Sequence, residues 1–143
     1  MSIANVLLVD DEVNFIETLG ERLELRDFEI SKAFSGEEAL RILEENQNVE
    51  VVILDVKMPG MDGIETLTAI KRKNPLVEVM MLSGHADVES AIEGMKQGAY
   101  DYLMKPVDMD QIITKVTAAA AKKRQHEEKI IQARINEITS RRA

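Results

Sequence analysis

The chain has 143 residues, enough for one domain with a sizeable core, and its 45% hydrophobic and 31% charged residues are globular values. It has no cysteine, which excludes a disulfide framework and thiolate chemistry; no apolar run approaches the roughly 18 residues that cross a membrane, and the start Met1-Ser2-Ile3-Ala4-Asn5 lacks the basic region of a signal peptide, so a cytoplasmic protein is expected. The net charge of -8 divides into 11 Lys+Arg against 23 Asp+Glu over residues 1–117 and 7 against 3 over 118–143; an acidic body lacks the basic face that neutralises phosphates, so no direct contact with nucleic acid is expected.

Asn5 to Val9 is a continuous apolar strand that ends at Asp10-Asp11-Glu12. From Val13 the apolar residues Phe15, Ile16, Leu19, Leu23 and Leu25 recur at mostly helical spacing. Phe28 to Ala33 alternates like a strand with one face partly wet. Ser35 and Glu38 form a capping box that opens a helix carrying Ala39, Leu40 and Leu43. Glu50 to Asp55 is then a short buried strand ending in a carboxylate, and Pro59, Gly60 and Gly63 turn the chain at once. Asp62 and Glu65 repeat the capping pattern ahead of Ile64, Leu67 and Ile70. The cations Lys71-Arg72-Lys73 suit the end of that helix, and Asn74-Pro75 stops it. Val77 to Leu82 is the fourth strand, Ala86 to Lys96 the fourth helix with Gly98 as its C-cap, and Tyr100 to Met104 the fifth strand. Asp108-Met109-Asp110-Gln111 is a further capping pattern. No Pro or Gly follows it, so one helix is predicted over 109–139, roughly 46 Å long. A domain of this size has a radius of gyration of about 13–14 Å, so the second half of that helix projects or folds back. There Ile131, Ile135 and Ile138 form an i, i+4, i+7 stripe of less than two heptads, suited to self-association or a partner.

Strand and helix alternate five times at spacings of about 20–30 residues, which implies an α/β fold: a doubly wound, five-stranded parallel sheet. The favoured strand order is 2-1-3-4-5, flavodoxin-like, with its switch point between strands 1 and 3 and with an extended last helix. Four strand ends then share one edge. Strand 1 supplies Asp10 and Asp11, strand 3 Asp55, strand 4 Ser83 and strand 5 Lys105.

Each of these residues alone has an ordinary role. Asp10-Asp11-Glu12 would cap a helix, Ser83 would cap another, Lys105 would be solvated and His85 would be a loop histidine. Together they depart from chance. Three crowded carboxylates repel one another unless a hard cation such as Mg²⁺ offsets the charge. With Mg²⁺ bound, one carboxylate can attack a phosphoryl group to give an aspartyl-phosphate. The metal and a Lys ammonium would stabilise the transferring oxygens, and a Ser hydroxyl can donate to one of them.

Over residues 1 to about 120 the chain resembles the receiver domains of two-component response regulators. The matching segments are Leu8-Val9-Asp10-Asp11-Glu12, Asp55-Val56-Lys57-Met58-Pro59-Gly60-Met61-Asp62-Gly63, Ser83-Gly84 and Lys105-Pro106, with Tyr102 at the family's switch aromatic. The resemblance implies that Asp55 accepts phosphate from a sensor histidine kinase or phosphotransfer protein. It implies Mg²⁺ on Asp11, Asp55 and the Lys57 backbone carbonyl, with Asp10 acting through a water. Lys105, Ser83 and Gly84 would bind the phosphoryl group. Ser83 and Tyr102 would move in step and remodel the face of the fourth helix, fifth strand and last helix, where a downstream protein or a second copy docks. Lys57 and His85 resemble the nitrogen-regulator class at positions that tune phosphate lifetime. Pro106 is expected to follow a cis bond, and Val107 stands where the family often has Phe.

The implied organisation is a receiver domain over 1–121 and a helical extension over 122–143. It is a switch rather than an enzyme, catalysing only its own phosphotransfer and dephosphorylation. A Mg²⁺-dependent phosphohydrolase with an Asp nucleophile is the alternative. That class commonly places a second Asp two positions after its nucleophile and adds a cap insertion, whereas Asp10 and Asp11 are adjacent. A flavodoxin is a third reading, opposed by three carboxylates that would repel a flavin phosphate. No output segment is recognisable after residue 120, so both a single-domain regulator and a receiver fragment of a transcription regulator remain open.

Overall fold

The structure is a computed structural model that describes residues 2–84 and 87–142. Five strands alternate with five helices: β1 Asn5–Val9, α1 Val13–Glu24, β2 Glu29–Ala33, α2 Gly36–Glu45, β3 Val51–Asp55, α3 Gly63–Lys73, β4 Glu78–Ser83, α4 Val88–Lys96, β5 Asp101–Met104 and α5 Met109–Arg142. The sheet is parallel in the order β2-β1-β3-β4-β5, as the alternation predicts. Period-2 side chains divide between two cores. Leu8, Ile53, Leu82 and Leu103 meet Ile16 and Leu23 of α1 and Ile112 and Val116 of α5. Leu7, Leu54 and Met81 turn to the other face, against Leu43 of α2 and Leu67 and Ile70 of α3. α4 lies on this second face too, packed so closely that a Cβ on Gly94 would strike the Met81 side chain.

Local chemistry sets the element ends. Ser35 Oγ accepts from Glu38 N–H at 3.1 Å, and Asp62 Oδ1 from Glu65 N–H at 2.9 Å, so both capping patterns form. At the third, Asp108 Oδ1 accepts from Asp110 N–H at 3.0 Å, one residue nearer than a capping box places its bond. Gly98 ends α4 at φ +108, and Ala99 N–H closes back on Gly94 at 2.9 Å. Gly63 matters most for the site. A Cβ there would collide with the Asp55 carbonyl and with Val56, so only glycine lets the loop return this closely to the end of β3.

α5 has 34 residues, about 51 Å of helix. Met109, Ile112, Val116, Ala119, Ala120 and Lys123 are buried against the sheet, whereas residues 128–141 are exposed. The helix therefore leaves the body rather than folding back on it, and among the described residues Ile130, Ile131, Ile135 and Ile138 are exposed. Its last anchor lies beyond residue 121. Arg124 pairs with both oxygens of the Glu50 carboxylate, and its Nη2 donates to the Ile3 carbonyl at 2.9 Å.

Candidate functional site

Parallel strands bring their C-terminal ends to one edge, and the register decides which side chains meet there. Asp10, Asp55 and Lys105 follow Leu8, Ile53 and Leu103 by two residues, so all three lean toward the α1 and α5 face. Oxygens of Asp10, Asp11 and Asp55 lie within 4.8 Å of one another. Asp10 is fully buried, Asp55 nearly so, and Asp11 opens to solvent.

Charge is unbalanced here. Burial first, and then the Asp10 and Asp11 charges, push the Asp55 carboxyl up to about 7, against the pull of Lys105 and the Lys57 backbone N–H. Lys105 Nζ sits 2.8 Å from Asp10 Oδ2 and 3.0 Å from Glu12 Oε1. Burial would lower the Lys105 pKa; its close pairing with Asp10 and Glu12 and the nearby Asp55 charge outweigh burial and hold it above the usual range. Asp10 Oδ2 has this close ammonium but no bond of hydrogen-bonding geometry, so the 2.8 Å contact is an ion pair. Among the described residues, one ammonium faces Asp10, Asp11, Asp55 and Glu12, which leaves an excess of negative charge. An all-oxygen donor set with surplus charge fits a hard divalent cation.

The structure thus unites four of the strand-end residues and separates the fifth. Ser83 belongs to the opposite face of the sheet, and its hydroxyl lies 3.6 Å from Met104 Sδ rather than at the carboxylates. Tyr102 shares that face, partly buried against the second core, and its carbonyl accepts from Lys115 Nζ at 3.0 Å. Gly84 accepts from the Asp87 N–H through its carbonyl at 3.0 Å. The Lys57 side chain turns outward and pairs with Asp87 at 3.2 Å. The Lys105–Pro106 bond is cis. His85 lies outside the described residues. Sequence reading missed Glu12 and Phe15 as neighbours of Lys105: the Phe15 ring centroid is 4.6 Å from the ammonium. No local pattern signals contacts between segments some 90 residues apart.

A family model described as the response regulator receiver domain matches residues 6–117, and the chain belongs to this family. It is thus a receiver domain of two-component signalling, carrying a helical C-terminal extension. Among curated proteins it is similar to the transcriptional regulatory protein ZraR of Escherichia coli strain K12, at 38% identity over 117 residues, 82% of this chain and 26% of that protein. Among solved structures it is similar to NtrX of Brucella abortus in complex with ADP, with TM-score 0.82 and 32% identity over 90% of this chain and 29% of that one. A response regulator receiver domain protein from Clostridium thermocellum aligns with TM-score 0.76 and 35% identity over 89% of this chain and 98% of that one. The chain spans about a quarter of the length of the curated ZraR and NtrX-like relatives it matches. Among the described residues no helix is long and apolar enough to cross a membrane.

Proposed function

We propose that the chain is a phosphorylation-activated switch whose Asp55 accepts a phosphoryl group from the phosphohistidine of a sensor kinase or phosphotransfer protein. The observation that carries this reading is the cluster of Asp10, Asp11 and Asp55 oxygens within 4.8 Å, flanked by the Lys105 ammonium. Mg²⁺ is the cation we assign to the cluster. Asp11, Asp55 and the Lys57 carbonyl would hold it directly and Asp10 through a water; when bound it offsets the carboxylate charge and polarises the transferring oxygens. Asp55 supplies the attacking oxygen. Lys105 turns from Asp10 toward the phosphoryl group, Ser83 leaves Met104 to donate to it, and the Gly84 backbone lines its pocket.

Ser83 and Tyr102 lie on one face of adjacent strands, which supports a coupled movement. That movement would reshape the surface of α4, β5 and α5, where a downstream protein or a second copy docks. Lys57, two residues after Asp55, and His85, two after Ser83 in the sequence, would tune the lifetime of the phosphate. We divide the chain into a receiver over 1–121 and a helical extension over 122–143. The chain acts by protein contact in the cytoplasm, without binding nucleic acid itself, and its only chemistry is on its own Asp55.

Incubation with a small phosphodonor and Mg²⁺, read by intact mass, tests the reading. One phosphate on wild type and none on Asp55→Asn is expected. Steady turnover of phosphate esters with no phosphoprotein overturns it. Sedimentation of the full chain and of residues 1–127, with and without beryllofluoride, tests the extension: full-length association that the truncation abolishes is expected, and identical monomers throughout remove the self-association claim.

A further inference from the structure

Glu12 stands at the N-cap of α1, yet its side chain caps nothing. A carboxylate there ordinarily accepts from a backbone N–H two or three residues on. Glu12 instead bonds Lys105, 93 positions along the chain, with Oε1 and Nζ 3.0 Å apart. The same ammonium touches Asp10 Oδ2 at 2.8 Å and stands 4.6 Å from the centroid of the Phe15 ring. Asp10 Oδ1 in turn accepts from the Glu12 N–H at 3.0 Å. Two carboxylates and a ring face, all within residues 10–15, therefore cage the one ammonium that the phosphoryl group would need. Among the described residues Lys105 makes no ion pair with Asp55; its partners are Asp10 and Glu12.

We propose that Glu12, aided by Phe15, is a positioning residue that parks the Lys105 ammonium beside Asp10 and sets how readily it transfers to a phosphoryl group on Asp55. The inference rests on the reading of Asp55 as the phosphoacceptor. Its physical basis is competition. Asp10 would share its charge with a divalent cation held in the acidic cluster, and its hold on Lys105 would loosen. Glu12 is 65% exposed at the rim, outside the three-carboxylate cluster, and keeps its own hold. A phosphoryl group must then draw the ammonium away from Glu12 and from the ring face. Removing the Glu12 charge leaves Lys105 with one suitor fewer, so the phosphorylated form is favoured.

The test uses the full-length chain as wild type, Glu12→Gln, Glu12→Asp and Phe15→Leu. Glu12 is exposed, so its variants fold. In metal-free protein, ¹⁵N NMR of the lysine ammonium groups reads Lys105 directly: a held ammonium exchanges slowly with water, and Glu12→Gln should hasten that exchange. At saturating Mg²⁺, beryllofluoride as phosphoryl mimic should bind Glu12→Gln about two- to fivefold more tightly, the range set by an exposed ion pair. Glu12→Asp should stay near wild type and Phe15→Leu should tighten less. Mg²⁺ alone should bind Glu12→Gln no more tightly than wild type. This split between mimic and metal is what a merely structural role would not produce. Weaker binding of both Mg²⁺ and mimic would assign Glu12 to the metal's surroundings and overturn the proposal, as would unchanged mimic affinity with unchanged exchange. A wild type that binds no mimic at all fails the phosphoacceptor reading itself and is recognisable as that different result.

Discussion

The two edges of the sheet carry acids in opposite company. At the edge where strands end, Asp10, Asp11 and Asp55 share one ammonium, and Asp55 is pushed up to about 7. At the edge where strands begin, Glu50 and Glu78 face more cations than they have charges: Arg124 holds Glu50, while Lys71 and Lys122 lie 3.4 and 3.1 Å from Glu78. Burial raises Glu50's pKa, but the bond from Arg124, helped by the Asn5 backbone N–H, more than reverses it, and the net shift is downward. One edge balances its acid charge with cations and the other does not. Acids with their partners in place hold the molecule together, tying α5 to the starts of β1 and β3; acids short of cationic partners form a donor set suited to a cation.

The largest effect expected from breaking this contrast is at the satisfied edge. Arg124→Ala strands Glu50 and frees the Ile3 carbonyl. A buried pair broken this way costs 3–5 kcal/mol, but Arg124 is half exposed and screened, so about 1–3 kcal/mol is expected from urea unfolding. Glu50→Ala should cost a similar amount, and the double variant less than the sum, since one interaction is being removed twice. Hydrogen exchange should quicken in residues 119–127 of α5, while the carboxylate cluster keeps its affinity for Mg²⁺. Unchanged stability in both single variants would mean that the edge called satisfied contributes nothing.

The unsatisfied edge should behave in the opposite sense. The folded-state value of Asp55, about 7, lies above the ordinary 3.8, so ionising it opposes folding. Its favourable contribution is complete below 3.8 and is lost as pH rises to 7 and beyond. In chelator, Asp55→Asn should match wild type near pH 4 and exceed it by about 1–2 kcal/mol at pH 8, the part of the shift left after screening by solvent at the open rim, a few degrees in Tm. Mg²⁺ should narrow or reverse that order at pH 8, because it stabilises wild type by up to about 2.7 kcal/mol at a hundredfold excess over Kd and Asp55→Asn by less. Wild type exceeding Asp55→Asn at pH 8 in chelator would show that Asp55 is not strained by its neighbours.

The two edges also differ in how far the sequence discloses them. Asp10, Asp55 and Lys105 each terminate an apolar run, so once the alternation implies a parallel sheet their convergence follows, and the observed strand order brings three carboxylates and Lys105 together. Ser83 sits at the same kind of position, yet strand parity turns it to the other face, where Met104 is its neighbour. Register explains the difference: Asp55 pairs with Leu82 and Ser83 pairs with Met104, so Ser83 lies one residue out of step with Asp55 and Lys105 and takes the other face. Arg124 and Glu50 are 74 residues apart, and Glu12 and Lys105 are 93 apart. Such pairs have no local period, and only the fold discloses them. Glu12 was misleading for a physical reason, since its place before a helix is that of a cap.

The smallest expected effect distinguishes the two lysines at the unsatisfied edge. Lys57 follows Asp55 by two residues, yet its side chain is 76% exposed and pairs outward with Asp87 at 3.2 Å. Exposed pairs of this kind are worth about 0–1 kcal/mol, so Lys57→Ala should shift stability by less than about 0.5 kcal/mol and by less still at high salt. What reaches Asp55 from Lys57 is the backbone N–H, which alanine keeps. The Asp55 titration, followed by NMR of its carboxyl carbon in chelator, should therefore overlay wild type in Lys57→Ala. Lys105→Met should move it to higher pH, because the Lys105 charge is among the influences that lower Asp55. A titration that moved with Lys57→Ala and stayed fixed with Lys105→Met would reverse the assignment of the two cations, and with it the claim that, among the described residues, the Lys105 ammonium is the one that stands against the cluster.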